Sequence, residues 1–179
     1  RKRSEAQLRR AAEMDAFRLK LSDELRSLSD PIVVQEVACR VLGEYLGANR
    51  VLYSEMFEDL GSQTLIRVSD YTDGVPSRVG WHRLEDFGEF VMETWRAGRN
   101  LLWSSLDDLP NLSADERAAY EAVEIEAIIG VPLVKAGRFE AFLAVHQATP
   151  RKWTEEEIAL VEETAERTWA AVERARTEA

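Results

Sequence analysis

The chain has 179 residues, 45% of them hydrophobic, and its 23 Lys and Arg face 33 Asp and Glu for a net charge of −10. That length suits one domain with some extra helix, and that acidity argues against nucleic-acid or membrane partners, so neither nucleic-acid binding nor membrane insertion is expected. One cysteine, Cys39, rules out an internal disulfide, and with two histidines it argues against a dedicated zinc site, which fits a reducing, cytoplasmic setting.

The start, Arg1-Lys2-Arg3, leads into no apolar signal-peptide core, and with no initiator Met the chain reads as a segment of a longer protein. From Ser4 to about Ser29 the spacing of Leu8, Ala11, Met14, Phe17, Leu21, Leu25 and Leu28 predicts one amphipathic helix. Asp30-Pro31 reads as N-cap and first residue of a second helix, ended by Gly47. Arg50 to Phe57 and Thr64 to Tyr71 read as strands joined by a hairpin turn across Glu58-Asp59-Leu60-Gly61-Ser62. An irregular stretch through Trp81 and His82 follows. A helix from about Phe87 to Ala97 comes next, with Asp86 and Glu89 as its capping box and Phe87, Phe90, Val91 and Trp95 on its inner face.

Leu101 to Trp103 is a short strand, and Ser113 with Glu116 caps a short helix reaching about Val123. Ala127 to Lys135 and Arg138 to Gln147 are strands around a tight Ala136-Gly137 hairpin. In the second of them, Phe139, Ala141, Leu143 and Val145 are expected on one face, and Phe142, Ala144 and His146 on the other. Thr154 and Glu157 cap a last helix whose Ile158, Val161, Ala165, Thr168, Val172 and Ala175 keep a heptad-like seam. Hairpin-joined strands with interspersed helices predict an α+β fold on an antiparallel sheet.

Ile129-Gly130-Val131-Pro132-Leu133, the Lys135-Ala136-Gly137-Arg138 turn, the run from Leu143 to Arg151, and Trp153-Thr154-Glu155-Glu156-Glu157 resemble the GAF family. The closing run from Ala165 to Ala175 resembles GAF modules of bacterial sensor histidine kinases that carry PAS and GAF domains. The resemblance implies a GAF/PAS-like antiparallel sheet of five or six strands. Terminal helices would pack on one face, and short helices and loops would roof a small-molecule pocket on the other. It divides the chain into a linker helix over 1–14, a GAF domain over 15–165 and an exit helix over 166–179. The function it implies is that of a non-catalytic sensory module, which couples binding of an as yet unknown small molecule or partner to an output domain, with a homodimer through the terminal helices. The open alternative is a dimerisation or signal-transmission module with no ligand of its own.

Within the family, bilin-binding members anchor the chromophore through a cysteine, often on the short helix before the penultimate strand. Here that helix reads Ser113-Ala114-Asp115-Glu116-Arg117-Ala118-Ala119-Tyr120, without one, so no cofactor and no covalent bilin are expected. Cys39 is expected to be a buried structural thiol. The members that reduce free methionine sulfoxide pass a disulfide among several cysteines, and a lone thiol closes no such relay. Tyr53, Tyr71, Trp81, Trp103 and Tyr120 supply aromatic surface with polar handles for a pocket. Asp108, in an Asp-Leu-Pro turn like the Asp-Ile-Pro of phytochromes, and His146 complete the expected ligand-binding set; His82 is expected to be exposed, and Trp95, Trp153 and Trp169 to be structural. The first 30 residues hold eight basic and six acidic groups, and the last 26 hold three and eight, which favours packing of the two terminal helices on each other.

Overall fold

The computed structural model describes residues 4–59 and 64–178. Local signals start and stop its helices. Ser4 and Gln7 form a capping box for α1 (Glu5–Arg26), and the Asp30 carboxylate accepts from the Ile32 N–H at 2.9 Å to open α2 (Pro31–Leu46). Gly47, at φ 63°, closes α2 in the left-handed conformation that a side chain would resist. The Thr154–Glu157 capping box opens α5 (Glu155–Glu178), and Ser113–Glu116 opens α4 (Ala114–Ala122).

Six strands pair antiparallel in the order β3-β2-β1-β6-β5-β4. They are β1 (Arg50–Asp59), β2 (Thr64–Thr72), β3 (Gly80–Arg83), β4 (Leu101–Trp103), β5 (Ala127–Lys135) and β6 (Arg138–Gln147). The turn expected at 58–62 lies largely outside the described residues. Alternation along the strands divides the apolar residues between two cores. Val51, Tyr53, Leu143 and Val145 face a bundle of α1, α2 and α5. Leu52, Ile66, Phe142 and Ala144 face the opposite side, here called the roof. A 3-10 turn (Leu84–Phe87), α3 (Glu89–Arg96) and α4 cover that side.

In the bundle, α1 and α5 run parallel. Arg10 pairs with Glu156, Arg18 donates to Glu163, and Arg167 donates to the Ser22 hydroxyl at 3.0 Å. Arg174 then reaches the Leu25 and Leu28 carbonyls, satisfying the acceptors that a helix leaves open at its C-terminus. The α5 seam from Val161 through Ala175 is buried in the same core as the sheet and α2 within one chain. Leu8 and Leu19 stay outside the bundle, exposed on α1.

Four expectations need correction. Trp81 and His82 lie in β3, because that segment pairs with Leu65 to Val68 of β2. Asp86 does not cap α3: the 3-10 turn uses it, Gly88 at φ 95° takes the N-cap position, and no side chain supplies a cap bond. Phe90 consequently points outward and is exposed. A register shift between Leu133 and Val134 makes Glu140 an extra residue, so Phe139 joins Trp95 and Phe142 on the roof face rather than Ala141 on the bundle face.

The roof core is closed by a stacked pair. Trp95 of α3 lies over Phe142 with centroids 4.0 Å apart and planes 24° from parallel, and its Nε1–H donates to the Gly130 carbonyl at 3.3 Å. Gly130 permits this approach, since a Cβ there would sit 2.8 Å from Trp95 Cζ2. Gly130→Ala is therefore expected to lower unfolding free energy by about 1–3 kcal/mol, measured by urea titration.

Candidate functional site

The roof is solid at its centre and open at one margin. There, β3 and the 3-10 turn face α4 across a cavity of about 440 Å³. Arg78 and His82 stand on one wall, Ala119 and Tyr120 on the other, with Val123 and Ile125 closing the apolar side. Asp86, Asp115 and Glu116 form an exposed acidic rim.

Arg50, the first residue of β1, points to the roof with its side chain fully buried. Its guanidinium donates to the Pro76 carbonyl at 2.6 Å and the Val123 carbonyl at 2.8 Å, which ties the β2–β3 loop to the end of α4. A third N–H reaches His146 Nδ1 at 3.2 Å. Because Arg50 can only donate, that nitrogen accepts and the neutral ring carries its proton on Nε2. Burial, followed by repulsion from Arg78, lowers the Arg50 pKa to about 10. Burial, with Arg50 and Arg78 nearby, drives the His146 pKa well below its ordinary value.

The next loop is braced as tightly. Asp70 accepts from the Ser77 hydroxyl at 3.0 Å and from the Arg78 N–H at 2.5 Å, and His82 Nε2 donates to the Arg78 carbonyl at 2.7 Å. Tyr120 bridges the two walls: its hydroxyl donates to the Phe87 carbonyl at 3.1 Å, and its ring meets Trp103 edge-on at 5.9 Å. Burial raises the Tyr120 pKa to about 12.

Of the seven residues expected to bind ligand, Trp103, Tyr120 and His146 lie on the roof face, and Tyr120 lines the cavity. Tyr53 and Tyr71 face the bundle, where Tyr71 lies over Gly43 of α2 and the Tyr53 hydroxyl is buried without a hydrogen-bond partner among the described residues. Trp81 sits opposite Arg67 on the bundle side of β3, half-exposed against Phe57. Parity explains all three, since each lies an odd number of positions from a roof residue of its own strand. Asp108 accepts from the Ser104 N–H at 3.1 Å and serves its own turn. Sequence reasoning missed Arg50, Arg78 and His82. His82 is half-buried in the cavity wall, where β3 pairing turns it inward opposite Ile66. An arginine directly at the head of the buried-looking run Val51-Leu52-Tyr53 was the available signal for Arg50.

Cys39 is on α2, on the bundle side, with its Sγ 4.0 Å from the Ser69 carbonyl and burial raising its thiol pKa. It is separated from the roof cavity by the sheet. No His, Cys, Asp and Glu cluster among the described residues is arranged to hold a metal, and no helix there is long and apolar enough to cross a membrane.

The GAF domain family model matches residues 30–172, and the chain belongs to that family. Among solved structures, the chain is similar to the blue-light absorbing form of the PixJ GAF domain of Thermosynechococcus elongatus: 23% identity, TM-score 0.68, covering 82% of this chain and 87% of that one. The phycocyanobilin-bound GAF domain of a cyanobacterial phytochrome matches at 14% identity and TM-score 0.74, covering 92% and 96%. The free methionine-R-sulfoxide reductase of Neisseria meningitidis, in complex with its substrate, matches at 14% and 0.67, covering 93% of each chain. These likenesses establish the fold. No curated protein matched the sequence. The α4 helix carries no cysteine, and Phe87, Trp95 and Trp103 pack over the roof face of the sheet.

His146 should make stability depend on pH. The unfolded chain takes up this proton near pH ~6.5, whereas the folded site keeps the ring neutral. Its contribution is thus complete above that pH and is lost as pH falls toward the depressed folded value. In urea titrations at about pH 7 and about pH 5.5, wild type is expected to lose about 1 kcal/mol more than His146→Gln, which keeps an acceptor for Arg50.

Proposed function

We propose that this GAF domain is a regulatory sensory module, in which a small molecule in the roof cavity shifts α4 and the shift reaches α5. The supporting observation is the position of β1, which holds both. On the roof side, Arg50 holds the Val123 carbonyl at the end of α4. On the bundle side, the buried Glu55 accepts from Arg67 at 2.7 Å and pairs with Arg176 in the last turn of α5. The α4 helix has no fully buried residue, so it is the part of the roof that a ligand could move at least cost.

The resemblance of the closing run to sensor histidine kinases supports a kinase output for the parent protein. Pairing of two copies completes this reading. With the α5 seam occupied, it would use the outward side of α1, where Leu8 and Leu19 are exposed. A second reading, a transmission module without a ligand, draws on the Trp95–Phe142 stack and the Trp103–Tyr120 contact that fill the roof centre.

The test disturbs the roof and reads the exit helix. Arg50→Lys removes the two-carbonyl fork, and amide exchange is followed in residues 173–178, with 160–164 as internal reference for global unfolding. Exchange in 173–178 is expected to speed up by about tenfold relative to the reference. Equal changes in both segments would defeat the coupling.

A further inference from the structure

Arg78 differs from the other charged groups around the cavity because its backbone is pinned while its guanidinium is not engaged. Its N–H is held by Asp70 and its carbonyl by His82. The side chain is half-buried in the cavity wall and has no hydrogen-bond or ion-pair partner among the described residues. Asp70 is occupied with the Ser77 hydroxyl and the Arg78 N–H.

Behind it stands Arg50, a second guanidinium bonded to no carboxylate among the described residues. Its acceptors are the carbonyls of Pro76 and Val123 and the neutral His146 ring. Burial and the neighbouring Arg50 and Arg78 charges disfavour a proton on His146, while burial opposes the charge on Arg78 against the pull of Asp70 and Asp86. Arg78 in the cavity wall and Arg50 behind it are partly desolvated cations that Asp70 attracts, with Asp86 also pulling on Arg78 and Glu124 on Arg50. Burial outweighs that pull on both and no carboxylate among the described residues bonds either guanidinium, so an anion seated on the Arg78 fork would stabilise the pair.

The geometry points to a small organic monoanion as the occupant, its carboxylate on the Arg78 guanidinium beside His82 and its apolar part against Tyr120, Val123 and Ile125. This rests on the cavity being the ligand site of the sensory module. The planar fork of arginine suits a carboxylate, and the cavity is within the roughly 300–1,000 Å³ usual for small-molecule sites. The exposed Asp86, Asp115 and Glu116 at the rim select against polyanions, so a nucleoside triphosphate is excluded where a single carboxylate is admitted.

The experiment is thermal unfolding of wild type and Arg78→Gln at constant sodium chloride, titrated with benzoate, indole-3-acetate, benzamide or adenosine triphosphate. At least one of the two carboxylates is expected to raise the wild-type Tm by a few degrees with saturation. Benzamide and the triphosphate should not, and Arg78→Gln should lose the response. Without ligand, Arg78→Gln should unfold at the same temperature as wild type or above it, because an unpaired desolvated charge has gone. No response to either carboxylate, an equal response in the variant, a response to the triphosphate as large, or a ligand-free variant that unfolds several degrees lower would each overturn the inference. Amide exchange on the carboxylate-bound wild type separates this from the sensory reading. Binding without a change in 173–178 sinks that reading alone, and coupling in Arg50→Lys without carboxylate binding sinks only the inference.

Discussion

A single buried guanidinium organises the functional side of this molecule. Arg50 begins a central strand, and its charge is taken out of water in a place where Asp70 and Glu124 act on it but no carboxylate among the described residues bonds it. It is retained there by carbonyls of two chain segments that are otherwise unconnected, at Pro76 and Val123, and by the ring of His146. Both walls of the roof cavity are tied by these bonds, through the loop that carries Arg78 and through Val123 at the end of α4. A lysine could supply the charge at this point but not the fork.

The two faces of the sheet manage polarity in opposite ways. On the roof, aromatic mass excludes solvent at the centre and the polar groups gather at one margin. On the bundle side, the polar groups are distributed: Glu55 between Arg67 and Arg176, and Gln35 bonded to the Ser69 hydroxyl at 3.0 Å beside Cys39. The long α1–α5 contact is lined by arginines that reach carboxylates, a hydroxyl and helix-end carbonyls, over an apolar row of Phe17, Leu21 and Leu25. Exposed ion pairs of this kind contribute less than about 1 kcal/mol each. The buried row packs α1 into the core it shares with α2, where Phe17 meets Tyr45, and the arginines set which residue of α5 lies opposite which of α1.

What could be read from the chain follows from the range of the forces involved. Caps act over three residues, so Asp30, Gly47, Ser113 and Thr154 were legible, and strand alternation correctly assigned Phe142, Ala144 and His146 to one face. Alternation failed at Phe139 because one inserted residue reverses it, and nothing local announces the insertion. The pocket residues were harder. Aromatic character marks burial without saying on which side of a sheet, and Tyr53 and Tyr71 serve the bundle. Arg50, Arg78 and His82 acquire their roles from carbonyls and carboxylates that the fold brings from elsewhere, which no spacing along the chain encodes.

The parallel course of α1 and α5 carries one more consequence. Partners advance together, from Arg10 with Glu156 to Arg174 with Leu25 and Leu28, so the backbone enters and leaves the domain travelling in the same direction at opposite ends of the bundle. Such units joined end to end would share a common axis without the chain having to reverse.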